Sequence, residues 1–68
     1  MESGRIKKVM RDRGFGFIAT NDGKEVFFHR SECKVDFDTL EQGQFVDFDL
    51  EVVPKGPRAR NLKLKADH

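Results

Sequence analysis

The chain has 68 residues, a formal net charge of +1, one cysteine and seven phenylalanines, with no tryptophan or tyrosine. That length leaves room for a single small domain of modest stability, its core stretch falling at about residues 4–65, and excludes a second core. The lone Cys33 excludes an internal disulfide, the lack of a CxxC or Cys/His cluster speaks against zinc or any other cofactor, and no apolar run approaches the ~20 residues of a membrane helix.

The opening MESGRIKK lacks the apolar core of a signal peptide, so a cytoplasmic protein is expected, complete as it stands and monomeric. Charge is unevenly placed. Residues 1–30 hold seven Lys/Arg against four Asp/Glu, residues 31–51 hold one against seven, and residues 52–68 hold five against one. Two basic ends lying side by side would form a basic face opposite an acidic one, able to take a polyanion on one side.

In chain order, the pattern predicts a first strand at about 5–11, with Ile6 and Val9 both inward by way of a local bulge. A second strand falls at 15–20 and a third at 25–29, joined through Asn21-Asp22-Gly23-Lys24, whose Asp-Gly step tolerates the positive φ of a tight hairpin. The stretch from Ser31 to Gln44 is long for a simple meander. Ser31 is expected to cap one short helical turn, and Thr39-Leu-Glu-Gln to form another. A fourth strand at about 45–53 alternates Val46, Phe48, Leu50 and Val52 inward with Asp47, Asp49 and Glu51 outward. After the break at Pro54, Gly56 and Pro57, a fifth strand at about 58–65 turns Leu62 and Leu64 inward and Asn61, Lys63 and Lys65 outward. Short strands without a full helix predict an all-β domain, a five-stranded antiparallel barrel whose closure removes bare edges.

The hairpin of the second and third strands has two apolar surfaces, yet a small barrel has one inside. Ile18, Val26 and Phe28 share one face; Phe15, Phe17, Phe27 and His29 share the other. Pattern alone leaves open which set is the core. A buried His29 without an obvious partner argues for placing the aromatic set outside. Rings flanked by Arg13 and Arg30 are what binders of single-stranded nucleic acid use, bases stacking on the rings while cations track phosphates. Gly16, between two of the rings, is expected to leave room for a flat base.

These residues carry a resemblance. Arg13-Gly-Phe-Gly-Phe-Ile18 and Val26-Phe-Phe-His-Arg-Ser31 resemble the two ribonucleoprotein-type motifs of the cold-shock domain family, bacterial cold-shock protein type. Thr39-Leu-Glu-Gln-Gly-Gln44 and Gly56-Pro-Arg-Ala-Arg-Asn-Leu62 extend the likeness over nearly the whole chain. The resemblance implies a five-stranded OB-type barrel that binds single-stranded RNA or DNA with little sequence demand. It implies stacking by Phe15, Phe17, Phe27, His29 and Phe37, backbone contacts from Lys7 and Arg13, and Lys55 and Arg58 bordering the same surface. Lys8 and Val9 stand where the family usually has an aromatic pair, and Arg30 where it often has a further aromatic, so cations replace two stacking sites, at Lys8 and Arg30. Both are carried as binding residues whose contribution shifts from stacking toward phosphate attraction.

The expected function is binding of single strands and RNA-chaperone-like activity without ATP, with no enzymatic turnover, no small-molecule substrate and no membrane partner. His29 has no evident triad partner, and Cys33 no activating neighbours. The alternative is a protein-interaction module docking through the Phe patch, against which the interleaved Lys7, Lys8, Arg13 and Arg30 speak.

Overall fold

The computed structural model describes residues 2–65. Five strands form: β1 (Glu2–Met10), β2 (Phe15–Thr20), β3 (Glu25–His29), β4 (Phe45–Val53) and β5 (Gly56–Leu64). They close a barrel in the order β1-β2-β3-β5-β4, with β4 returning to β1. This is the all-β barrel that the strand pattern predicts, with the five-stranded OB-type form that the resemblance implies. Its neighbours run antiparallel except β3 and β5, which meet through the parallel pair Phe27–Arg58. That is the shortest ladder among the described residues, reinforced just past β3 by a parallel bridge between Cys33 and Leu62.

The expected bulge is present. Pairing of β1 with β2 shifts register between Ile6 and Lys8, which lets Ile6 sit fully inside while Val9 packs part-buried against the core. The Asn21–Lys24 hairpin also forms as expected: Gly23 has φ +87°, and the Gly23 N–H donates to the Thr20 carbonyl at 3.1 Å. Asp22 is held below its ordinary value, first by the Thr20 hydroxyl and then by Lys24.

The core comprises Ile6, Ile18, Val26, Phe28, Phe37, Leu40, Val46, Phe48, Ala59 and Leu62. Ile18, Val26 and Phe28 are therefore the inner face of the hairpin. Several expectations are corrected. Leu50 and Val52, expected inside, are 37 % and 77 % exposed, because the β4–β5 hairpin runs on past the barrel toward its turn at Pro54. Leu64 is exposed too. Asn61, at φ +54°, inserts an extra residue between Ala59 and Leu62, so Ala59 turns inward instead. The first 3-10 turn, Arg30–Glu32, is capped by His29 and not by Ser31; the second, Phe37–Thr39, starts two residues before Thr39 and is capped by Asp36. Arg11, expected in the first strand, lies in the turn after β1 and donates to the carbonyls of Asp38 at 2.8 Å and Leu40 at 2.5 Å, holding the long loop over the barrel.

Among the described residues, the two basic segments, 1–30 and 52–68, pair along one seam only, where β3 meets β5. The acidic β4 sits between β1 and β5, and its outward acids meet cations and polar groups from both. Asp47 accepts from the Ser3 hydroxyl at 2.6 Å and lies 3.5 Å from Lys65 Nζ; Asp49 accepts from Asn61; Glu51 pairs with Arg58 and Arg60. Charge on this flank is interleaved.

Candidate nucleic-acid interface

Cross-strand register arranges the outer surface of the barrel in three rungs. The first joins Met10, Phe15 and His29; the second joins Lys8, Phe17, Phe27 and Arg58; the third joins Phe45, Arg5, Ala19 and Glu25. Side chains in register point to the same face, so the pairing of β2 with β3 brings Phe15, Phe17 and Phe27 together as expected. Their ring centroids lie 5.5–6.0 Å apart, with Phe15 and Phe17 edge-on at 84° and Phe17 and Phe27 at 68°. Edge-to-face contacts of this kind fix the orientation of the rings, and part of each remains exposed. All three rings are half-buried, and His29 beside them is exposed.

His29 is oriented by its own neighbour. Its Nδ1 accepts from the Ser31 backbone N–H at 3.1 Å and lies 2.9 Å from the Ser31 hydroxyl, which leaves Nε2 at the outer edge of the ring. The polar ring that a buried arrangement would have orphaned is thus both partnered and outside.

Gly16 has a different role from the one expected. A Cβ there would point inward, 2.5 Å from the Lys8 carbonyl oxygen and 2.6 Å from Cζ of Phe28. The glycine accommodates the core phenylalanine under the sheet and does not open the outer face. Gly14, at φ +78°, closes the turn between β1 and β2 that carries Arg13: its N–H donates to the Met10 carbonyl at 2.9 Å, and its own carbonyl accepts from the Arg30 N–H at 2.8 Å.

The cations divide by their engagements. Lys8 and Arg13 are exposed. Lys7, at the bulge, bonds Glu25 at 2.9 Å with both partners more than half exposed, a pairing that contributes at most about 1 kcal/mol. Arg30 is exposed, its guanidinium 5.9 Å from the Phe37 ring centroid. Arg58 lies 3.5 Å from Glu32 and 3.3 Å from Glu51, and Arg60 binds the same two carboxylates at 3.0 and 3.1 Å. Lys55 borders a cleft of about 460 Å³ with Phe17, Phe27, Val53, Pro57 and Arg58, where the overrunning β4–β5 hairpin walls the second rung.

Phe37 is the one stacking candidate that the structure sets apart. Only 5 % exposed, it packs on Phe28 at 6.2 Å in the core, on the far side of the sheet from the three rings. Sequence reasoning missed Met10, Val53 and the carboxylates Glu32 and Glu51. The bulge was foreseen and could have placed Met10 opposite Phe15; the other three depend on long-range closure. Burial, and secondarily the charge of Glu32, push the Cys33 thiol up to about 11, which disfavours the thiolate. Among the described residues no helix is long and apolar enough to cross a membrane, and no cluster of His, Cys, Asp or Glu is placed to hold a metal ion.

Comparison with known proteins places these observations. Residues 2–65 match the family described as the 'Cold-shock' DNA-binding domain. "Cold shock protein 1" of Lactiplantibacillus plantarum is 46 % identical over 63 residues, covering 91 % of this chain and 96 % of that one. "Major cold shock protein" of Streptococcus pyogenes serotype M18 is 44 % identical over 63 residues, covering 91 % and 94 %. "Cold shock-like protein CspC" of Bacillus cereus is 43 % identical over 60 residues, covering 87 % and 92 %.

Proposed function

Since the chain belongs to the cold-shock domain family, a family of nucleic-acid-binding domains, we propose that it binds single-stranded RNA or DNA with low sequence specificity and keeps it unpaired. The observation that carries this reading is the cluster of Phe15, Phe17 and Phe27, rings locked edge-on yet open to solvent and bordered by cations. Every base has a π-face, so stacking on such rings is tolerant of sequence, at about 1–3 kcal/mol per base. A duplex hides those faces. Binding therefore draws strands toward the unpaired state by mass action, which is RNA-chaperone-like activity without ATP. Effects on transcription or translation follow where the melted structure is a terminator or an occluded start site.

Roles divide by geometry. Phe15, Phe17, Phe27 and His29 stack bases; Lys7, Lys8, Arg13 and Arg30 draw in phosphates along one edge; Lys55 and Arg58 close the other across the cleft. Phe37 joins this set only if the loop that Arg11 holds down releases it. With cations at positions 8 and 30, the electrostatic share of binding is large and affinity falls steeply with salt.

The test is fluorescence anisotropy on a dye-labelled, pyrimidine-rich strand of about eight nucleotides, at two salt concentrations and with duplex as competitor. Tight single-strand binding lost in Phe17→Ala plus Phe27→Ala, with the far-UV spectrum unchanged, is the expected result. Opening of an RNA hairpin beacon by the native protein alone extends it to chaperone activity. Failure to bind at low salt would overturn the reading and leave the Phe patch as a protein-docking surface.

A further inference from the structure

The third rung sets one aromatic ring, Phe45, beside one cation, Arg5, with Ala19 and Glu25 completing it, on a part of the barrel outside the two motifs. Phe45 is 54 % exposed, the second most exposed large apolar side chain of the described residues. The Arg5 guanidinium lies over one face of its ring, 4.7 Å from the centroid, which holds the ring without covering its other face. Beside it opens a cleft of about 530 Å³ bordered by Arg5, Ala19, Asn21, Phe45 and Lys65. Ala19 makes a low floor, Asn21 offers an amide that donates and accepts, and Lys65 stands half exposed at the rim, 3.5 Å from Asp47. The local charges are Arg5, Lys7 and Lys65 against Glu25 and Asp47, so the cleft is cationic by one.

Position matters as much as composition. Phe17 and Ala19 occupy successive outward positions of β2, about 7 Å apart. The third rung is thus the next step along the surface that carries Phe17 and Phe27, with Lys7 standing at the bulge between them. Resting on the reading of that surface as a single-strand track, we propose that Phe45, with Arg5 and Lys65, is a further nucleotide-stacking position that lengthens the track past Phe17. The occupant is a base of the strand already bound, sandwiched between the open face of Phe45 and solvent or a neighbouring base, its phosphate drawn to Arg5 and Lys65. Continuity with the aromatic face and the cationic rim favour this occupant over a protein segment, for which one isolated ring gives too little apolar area.

Two strands decide it, one of about four and one of about eight nucleotides, spanning the small site sizes seen for OB folds. Phe45→Ala is expected to bind the short strand as the native protein does and the long strand more weakly by about 5- to 150-fold, the equivalent of one stacked base. Phe45→Trp supplies a direct reporter, since the chain has no tryptophan: its emission is quenched at saturation with the long strand and unchanged with the short one. Phe17→Ala weakens both. Equal affinity of Phe45→Ala and native protein on both lengths, with an unquenched Trp, overturns the proposal while leaving the aromatic face intact. An equal loss on both lengths also overturns it, because Phe45 would then act on the whole face. Native protein that binds neither strand overturns the parent reading together with this one.

Discussion

Gly16, within the first motif, and Phe37, in the long loop, both belong by sequence to the expected binding face, yet both serve the interior. An added methyl at Gly16 meets a backbone carbonyl and a buried ring, neither free to move away. Gly16→Ala is therefore expected to cost about 1–3 kcal/mol, the range for an overpacked core. Each kcal/mol lowers the melting midpoint of so small a domain by about 4–8 °C, which thermal denaturation by circular dichroism will read. Phe37→Ala should cost more, about 3–5 kcal/mol, since it empties a site against Phe28 and Leu40. Urea denaturation separates it from Phe17→Ala, whose ring lies on the surface: the first variant loses most of its folded population, the second keeps its midpoint and loses one stacked base. A Phe37→Ala protein as stable as the native one but weaker in binding would restore Phe37 to the outer face.

At the scale of elements, β5 carries two arginines into a carboxylate pair that β4 and the first 3-10 turn supply. Glu32 and Glu51 both engage Arg58, so on the proposed reading a phosphate would have to compete with them. Glu32→Gln should tighten binding at low salt and steepen the salt dependence by about 0.7 in the logarithmic slope, the value of one added phosphate contact on a single strand; an unchanged slope would mean Arg58 already reaches phosphate or never does. On the other seam of β4, the Ser3 hydroxyl and then Lys65 hold Asp47 below its ordinary 3.8. The folded state thus takes up this proton at lower pH than the unfolded chain does. Its stabilisation is complete above the unfolded value and is lost as pH falls through the folded one. Asp47→Asn should be less stable than the native protein at neutral pH, with the gap closing as denaturation curves are taken below the carboxylate range. The hairpin of β2 and β3 was legible because a period of two over 15–18 and 26–29 permits one register, and the bulge followed from needing both Ile6 and Val9 inside. Leu50, Val52 and Leu64 misled because alternation says which face a side chain takes and not whether the barrel still lies beneath it. Phe37 misled because a lone aromatic residue in a loop has no periodicity to read. The placement of the acidic strand between the basic ones is a property of closure, which no local pattern holds.

For the whole molecule, the barrel's order puts the putting-together of distant segments at the site itself: Phe27 and Arg58, 31 positions apart in the chain, are paired across β3 and β5. Any ligand that rests on Phe27 while touching Arg58 makes contacts that exist only when the barrel is shut. Binding should then raise the melting midpoint with ligand concentration, by the equivalent of about 2.7 kcal/mol at a hundredfold excess over Kd. Differential scanning fluorimetry with the eight-nucleotide strand will show it, and a midpoint that ignores saturating strand would mean that the open and closed chains bind alike.

The short β3–β5 ladder has one more consequence. A barrel opens where its ladder is thinnest, and here that place lies under the proposed binding face, so a strand bound there would act as a clasp across the joint. Amide exchange at residues 27 and 58 should slow on binding more than exchange in the long β4–β5 ladder, the bare protein then being a looser object than the one that holds a strand.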